Sequence, residues 1–192
     1  MNLAVAIAKK LEIKNFEDIR WKMIKVYDIL KPTKLHRKVI CHGDLWYTNL
    51  MFENNQPSHC IFVDFQLIRY APLVLDFLQL VYVNNFGNIT EDLKIKLLKH
   101  YHNALQEIIG KNRSIDAKIP SFKEVLESCN HYEYYGKIMA MLILRRTFNL
   151  VYISNEDLND AKILIRAIFH SMNTNEKFKN QMKILINNIL NI

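Results

Sequence analysis

The sequence predicts a mostly helical α+β domain, and three observations support that class. Apolar residues recur at helical spacing along most of the 192 residues. The short runs that predict strands lie in one region, between residues 38 and 65. Half of the residues are apolar, which is enough for a hydrophobic core in a chain of this length. We expect one domain over residues 1–192, with its chemistry-bearing motifs in 39–82 and a helical remainder in 89–192.

Two helices and a small β element are predicted in the first third of the chain. The opening run MNLAVAIAKKLEIK lacks the basic start and the cleavage site of a signal peptide, and it fits an amphipathic helix. Apolar positions keep helical spacing from Phe16 to Leu30. Asn54, Asn55 and Pro57 predict a turn between two of the strands that follow. These strands are expected at Lys38–Cys41, Asn49–Phe52 and Cys60–Phe65.

Two helices are predicted after the β element. Pro72 suits a first helical turn, so a buried helix is expected over Leu73–Val83. A second helix is expected to begin after Thr90 and to stop at Gly110, because acids follow the threonine and glycine favours helix ends. Its inward face is expected to hold Leu93, Leu97, Tyr101, Leu105 and Ile108.

The last third of the chain is also predicted to be helical. Ser121 and Glu124 form a capping box for a helix that reaches Leu144, with an irregularity at Gly136. Two further helices are expected over residues 154–170 and 177–190.

Three tyrosines of the Ser121 helix have two interpretations. Tyr132, Tyr134 and Tyr135 could line a pocket for a bulky ligand or pack against the core. Their helical context favours packing.

The composition excludes several classes of protein. Lys and Arg exceed Asp and Glu by seven, which suits an anionic ligand such as a nucleotide. The basic residues form no stripe with interleaved aromatics, so no nucleic-acid partner is expected. Cys41, Cys60 and Cys129 lie too far apart to predict a disulfide framework or a zinc site, which favours a reducing, cytoplasmic setting. A helix needs about 20 apolar residues to cross a bilayer, and the apolar runs of this sequence are too short or too interrupted.

The stretch CHGDLWYTN, Cys41 to Asn49, contains residue types that phosphoryl transfer from ATP requires. That reaction needs an acceptor hydroxyl held in line, metal ions on the phosphate oxygens and a carboxylate near the acceptor proton. Asp44 would lie beside the acceptor as a base or positioning group, and Asn49 would turn its amide oxygen toward magnesium. Asp64, in the run Val63-Asp64-Phe65-Gln66, offers a hard oxygen at the end of an apolar strand.

Each of these residues also has a structural interpretation. His-Gly-Asp is common in turns, because glycine tolerates positive φ and aspartate bonds nearby backbone. Taken singly, Asn49 and Asp64 are more often turn or strand-end residues than metal ligands. The order and spacing of all three polar residues favour catalysis. His42 is expected to organise the loop rather than bind metal, and Asp76 to support that loop by hydrogen bonding from an apolar helix.

The runs VICHGDLWYTNLMF and IFVDFQLIRYAPLVLDFLQLVY resemble the choline kinase and aminoglycoside phosphotransferase superfamily. They are most similar to its CHK kinase-like, ecdysteroid kinase-like branch, since H-G-D-L-W, the Asn, D-F-Q and the later Leu-Asp-Phe occur in family order over Val39–Tyr82. The resemblance implies the helical carboxyl-terminal lobe of a kinase, with Asp44 as the catalytic aspartate and Asn49 and Asp64 as Mg²⁺ ligands. It further implies ATP as donor and an ecdysteroid or other hydrophobic small-molecule alcohol as acceptor.

Two parts of a complete kinase are not found in the sequence. The four glycines are scattered, so no glycine-rich phosphate loop can be written. Val5-Ala6-Ile7 with Lys9 misses the V-A-I-K lysine by one place and lies in a helical segment. We therefore expect the amino-terminal lobe to be absent, in a fragment or a natural short form. An inactive kinase-fold binding or regulatory module is the alternative to a phosphotransferase.

Overall fold

The computed structural model describes residues 3–14, 16–29, 36–53, 56–111, 118–147 and 161–190. In these ranges the chain forms seven α-helices and two small antiparallel sheets, which confirms the mostly helical α+β prediction. The helices are α1 Leu3–Lys10, α2 Phe16–Ile29, α3 Leu75–Asn84, α4 Glu91–Lys111, α5 Phe122–Thr147, α6 Ala161–Thr174 and α7 Glu176–Leu190. The strands are β1 Lys38–Cys41, β2 Leu50–Glu53, β3 Gln56–Phe62 and β4 Arg69–Pro72.

The first sheet pairs β1 with β4, a strand that the sequence did not predict. Lys38 lies opposite Pro72, and Cys41 lies opposite Arg69. Pro72 therefore ends a strand instead of opening a helix, and α3 begins three residues later, at Leu75. Proline is tolerated there because the strand is at the edge of a two-stranded sheet.

The second sheet is the predicted hairpin, with shifted boundaries. β2 and β3 pair antiparallel, with Leu50 opposite Phe62. Pro57 lies within β3 and not in the turn, and β3 ends at Phe62, before the predicted end at Phe65. Asn54 and Asn55 lie outside the described residues.

The centre of the core is the contact between α3 and α5, where glycine allows close approach. A Cβ at Gly136 would lie 2.6 Å from Cδ2 of Tyr82 and 2.9 Å from the carbonyl oxygen of Leu78. The helix passes through Gly136 without the predicted irregularity. The glycine is thus explained by packing between helices and not by a break in one.

The inward face of α4 differs from the predicted one. Leu93 and Ile108 are exposed, whereas Lys94, Leu98 and His102 are buried. The other three predicted positions are partly buried against the core. Hydrophobic periodicity could not find this face, because a buried lysine and a buried histidine, each with a polar partner, occupy part of it. The helix also continues one residue past the predicted stop at glycine, to Lys111.

Lys94 is buried because two acids neutralise it. Its Nζ lies 2.7 Å from Glu133 Oε1 and 2.7 Å from Glu91 Oε2, and Tyr82 donates a hydrogen bond to Glu133. Burial lowers the pKa of Lys94, but the hydrogen bonds to both glutamates outweigh that effect and leave the pKa raised. Burial raises the pKa of Glu133, but hydrogen bonds from Lys94 and Tyr82 leave it lowered. The cluster thus holds an ion pair between buried Lys94 and partly buried Glu133 that joins α4 to α5, and this pair is called the buried ion pair below.

The capping and terminal predictions can be compared directly with the structure. Ser121 N donates to Glu124 Oε2 at 2.7 Å, and Glu124 N donates to Ser121 Oγ at 3.2 Å, which confirms the capping box. The helix predicted over 154–170 is described only from Ala161 and extends to Thr174; residues 148–160 lie outside the described ranges. No helix in the part of the chain that the structure describes is long and apolar enough to cross a membrane.

Candidate functional site

The His-Gly-Asp loop is tied to the first turn of α3 by one carboxylate. Asp76 Oδ2 accepts a hydrogen bond from His42 N at 2.6 Å, and its Oδ1 accepts one from Gly43 N at 2.9 Å. Gly43 has φ +83, and a Cβ there would lie 2.1 Å from the carbonyl oxygen of Leu67. Glycine is therefore required in this turn for both its backbone angle and the available space.

Asp44 is buried and is held by amides from two directions. Asn49 Nδ2 donates to the backbone oxygen of Asp44 at 2.8 Å and to its Oδ2 at 3.2 Å. Gln79 Nε2 donates to Oδ1 at 3.3 Å. A carboxylate offers about four lone-pair sites, so two side-chain hydrogen bonds leave capacity for a further partner.

Gln79 is the site residue that the sequence did not single out. It is fully buried on α3, a helix composed mainly of apolar residues. It follows Asp76 by three positions, which places both side chains on neighbouring parts of one helix face. A glutamine at that spacing from a loop-binding acid is the signal that could have found it.

His42 connects the loop to the residue that precedes Asp64. Because a carbonyl oxygen can only accept, His42 Nε2 donates to Val63 O, at 2.9 Å, and Nδ1 is left to accept from Asp44 N at 3.3 Å. Val63 N in turn donates to Asn49 O at 3.1 Å. His42, Asn49 and Val63 thus belong to one set of hydrogen bonds, and Asp64 follows Val63 directly. The His42 ring also lies against Phe65, with centroids 4.7 Å apart.

Asp64 is exposed and has an unusual backbone conformation. Its φ is +65, and it lies two residues beyond the end of β3 instead of at the predicted strand end. Aspartate is among the few residues that adopt this left-handed region, usually at turns or functional sites. Gln66 Nε2 donates to Oδ2 at 3.3 Å, so the remaining oxygen capacity faces no side-chain donor in the described contacts.

The available donor atoms suit a hard divalent cation. Asn49 uses its nitrogen on Asp44, so Oδ1, which lies 3.5 Å from Thr48 Oγ1, is the amide atom left for a cation. Asp64 adds an exposed carboxylate. Oxygen ligands of this kind, few in number and completed by phosphates and water, are what Mg²⁺ uses in nucleotide enzymes. Within the described ranges no cluster of three or more His, Cys, Asp or Glu side chains forms an alternative metal site.

Comparison with known protein families matches residues 4–113 to the ecdysteroid kinase-like family. That region covers more than half of the chain and contains every candidate site residue. The chain belongs to the ecdysteroid kinase-like family. The match confirms the resemblance over Val39–Tyr82, extends it back into α1, and ends before α5. No curated protein and no solved structure matches the chain.

Membership of the ecdysteroid kinase-like family implies a kinase-like phosphotransferase. A kinase-like family implies, in general terms, ATP and a small-molecule substrate. The matched segment holds the loop, both sheets and α3, while the packing partner α5 lies outside it. The family motifs are thus supported by a helix that the family match does not cover.

Proposed function

We propose that this chain forms a kinase-like carboxyl-terminal lobe that transfers a phosphoryl group from ATP to a hydroxyl of a small molecule. The observation that carries this proposal is the environment of Asp44. Its carboxylate is buried, both oxygens accept amide hydrogens, and the loop that holds it is bonded to α3 through Asp76. A catalytic carboxylate needs such fixed geometry, because positioning accounts for much of phosphoryl-transfer catalysis.

Asp44 would receive the hydrogen bond of the acceptor hydroxyl. The amides of Asn49 and Gln79 restrict rotation of the carboxylate and leave lone pairs free on both oxygens. The carboxylate then orients the hydroxyl oxygen for in-line attack on the γ-phosphorus of ATP and accepts the hydroxyl proton. As the new O–P bond forms, the bond from the γ-phosphorus to the oxygen bridging the β-phosphate breaks, and ADP leaves with that electron pair.

Asn49 and Asp64 would hold the magnesium ion. When bound, Mg²⁺ neutralises the phosphate oxygens of ATP and stabilises the developing charge. In this proposal Asn49 both positions Asp44 and binds the metal, because its side-chain nitrogen donates to Asp44 while its side-chain oxygen is available to the metal. Replacement by aspartate would keep an oxygen for metal but remove the amide hydrogens.

The proposed acceptor is an ecdysteroid or another hydrophobic alcohol. Family membership supports this class, and so do two exposed aromatic side chains beside the site residues. Tyr47 lies two positions before Asn49, and Phe65 directly follows Asp64; both are about half exposed. Exposed aromatic rings next to a catalytic loop favour contact with an apolar ligand.

We also propose a cytoplasmic location. All three cysteines lie in the described part of the chain and none is in a disulfide. Burial raises the pKa of Cys41 and of Cys129 to about 12, which keeps these thiols protonated and unreactive. Unpaired thiols are typical of reducing compartments.

Phosphate transfer to steroid alcohols tests the function directly. The purified chain is incubated with γ-labelled ATP, Mg²⁺ and a panel of ecdysteroids and other apolar alcohols. We expect Mg²⁺-dependent labelling that falls about 10²- to 10⁴-fold in Asp44→Asn, the range for loss of a general base. Asp92→Asn, the same change at an exposed acid of α4, is the control and should leave the rate unchanged.

A kinase-fold binding module without turnover is the second candidate. It is favoured by the apolar side chains that both sheets leave exposed, among them Ile40, Ile61 and Tyr70. Such a surface favours binding of a partner. Binding of an apolar alcohol without any labelling, and without an effect of Asp44→Asn, would support the module and reject the phosphotransferase.

A further inference from the structure

Three buried or half-buried polar side chains form a continuous path from β4 to Asp44. Arg69 Nη2 donates to the hydroxyl of Tyr135 at 2.6 Å. That hydroxyl donates to Gln79 Oε1 at 3.3 Å, and Gln79 Nε2 donates to Asp44 Oδ1 at 3.3 Å. Arg69 Nη2 also donates to Gly43 O at 3.2 Å, so the path returns to the residue before Asp44. We call these three residues the Arg69–Tyr135–Gln79 relay.

The direction of every hydrogen bond in the relay follows from its two ends. The carboxylate of Asp44 can only accept, so the amide nitrogen of Gln79 faces it and the amide oxygen of Gln79 faces Tyr135. That oxygen can only accept, so the single hydroxyl hydrogen of Tyr135 goes to Gln79. The guanidinium group of Arg69 has donors and no acceptor, so it donates to the Tyr135 oxygen and reinforces this arrangement.

The relay joins elements that are far apart in the sequence. Arg69 comes from β4, Tyr135 from α5 and Gln79 from α3. Gln79 and Tyr135 are essentially inaccessible to solvent, so water does not compete for their hydrogen bonds. Burial raises the pKa of Tyr135 to about 12, although the nearby Arg69 acts in the opposite direction, so the hydroxyl keeps its proton throughout the neutral range.

We propose that Gln79 and Tyr135 are positioning residues that set the rotamer of Asp44 for its reaction. The proposal deepens the phosphotransferase function and depends on it for its catalytic consequence. Asn49 holds one carboxylate oxygen from within the loop, and Gln79 holds the other from the helical core. Without the relay, Asp44 retains only the loop contact, and its carboxylate turns more freely about the side-chain bonds.

Two matched tyrosine variants separate positioning from packing. Tyr135→Phe removes only the hydroxyl of the relay and keeps the ring in the core. Tyr132→Phe makes the same change three residues away on α5, at an equally buried hydroxyl that has no hydrogen-bond partner in the described structure. We expect kcat to fall about five- to tenfold in Tyr135→Phe, because the hydrogen bond that orients Gln79 is lost, with KM for ATP unchanged and no fall in Tyr132→Phe.

The side-chain amide signals of Gln79 test the hydrogen bonds of the relay with a measurement that does not depend on enzymatic activity. Gln79→Met identifies these signals in a ¹H–¹⁵N spectrum by their loss. Tyr135→Phe and Asp44→Asn should each shift them, while Tyr132→Phe should leave them in place. Signals that ignore Tyr135→Phe, or respond equally to Tyr132→Phe, would overturn the proposal.

A double-mutant cycle completes the test. If the relay acts as one unit, Gln79→Met combined with Tyr135→Phe lowers kcat no further than Gln79→Met alone. If the losses in kcat of the two single variants multiply in the double variant, the relay does not act as one unit. If the wild-type chain transfers no phosphate, the phosphotransferase function fails and catalytic positioning with it, whereas the amide shifts still decide whether the relay holds Asp44.

Discussion

The loop-and-strand region of residues 36–72 and the helical body are stabilised by different interactions. In the first region apolar side chains remain at the surface, with Ile40 75% and Tyr70 71% exposed, and a few polar contacts to α3 hold the loop. In the helical body, the core-facing residues of α3, α5 and α7, such as Leu78, Ile138 and Leu185, are completely buried. A region with little buried apolar surface depends heavily on each polar contact, whereas a packed core distributes its stability over many side chains.

α3 connects the two regions. Asp76 and Gln79 bind the loop, while Tyr82 and Leu78 pack against α5 at Gly136. The comparison therefore predicts that changes at the polar contacts of α3 affect the loop selectively, and that changes in the body affect global stability.

The largest effect on stability is expected from the buried ion pair of the helical body. Lys94→Met should reduce the free energy of unfolding by about 3–5 kcal/mol, because Glu133 is left without its main partner. Lys111→Met, on the same helix but at an exposed pair with Glu107, should leave the free energy of unfolding nearly unchanged. Urea unfolding of both variants measures the difference. Equal losses would show that burial of Lys94 contributes nothing.

An intermediate effect is expected where the loop meets α3. Asp76→Ala removes the acceptor of two backbone N–H groups, at His42 and Gly43. It should reduce the free energy of unfolding by about 2–4 kcal/mol. Hydrogen exchange should show faster opening of the loop amides, with α5 and α7 still protected. Uniform loss of protection across the chain would contradict the separation of the two regions.

A smaller effect is expected from a methyl group between α3 and α5. Gly136→Ala should destabilise by about 1–3 kcal/mol, because its Cβ would overlap Tyr82 and Leu78. Gly110→Ala has no atom within 4 Å of the new Cβ and should stabilise by about 0.5–1 kcal/mol through helix propensity. Thermal unfolding measures the sign of the stability change in each variant. Two changes of the same sign would refute close packing at Gly136.

The stability of the chain should decrease at acidic pH because Glu133 of the buried ion pair becomes protonated. The pKa of Glu133 is lowered in the folded chain, so its contribution is present above the ordinary value of 4.5 and is lost as pH falls through the folded pKa. The raised pKa of Lys94 gives a contribution that is complete below its ordinary 10.5 and is lost only at higher pH. Glu133→Gln should flatten the acid limb of stability against pH. An unchanged acid limb would exclude this carboxylate as a source.

The sequence predicted elements whose pattern is local and missed those set by tertiary contacts. α2, the capping box and the Lys38–Cys41 strand follow from periodicity and local residue preferences, and the structure confirms them. β4 was missed because its pairing with β1 brings together residues about thirty positions apart. The buried face of α4 was missed because buried Lys94 depends on partners that no periodic pattern reveals.

The candidate site could be predicted only in part. The motif order predicted that Asp44, Asn49 and Asp64 serve one site, supported by Asp76. In the structure Asn49 and Asp76 bond the loop of Asp44, and Asp64 follows Val63, whose N–H donates to Asn49 O; the functional roles of these residues are our proposal. Gln79 was missed because its importance lies in contacts to Asp44 and Tyr135, and both depend on how α3 packs.

Manganese titration tests the central claim most directly, namely that Asn49 and Asp64 hold a divalent cation beside Asp44. Mn²⁺ with ATP is added in place of Mg²⁺, and paramagnetic broadening of side-chain amide signals is measured. The signals of Asn49 should broaden at low Mn²⁺ in the wild type and persist in Asp64→Ala, with the Asn188 amide of α7, which donates to Gly87 O, as the reference. Asn49 signals that stay sharp at saturating metal and nucleotide, or that broaden equally in the wild type and in Asp64→Ala, would contradict the account.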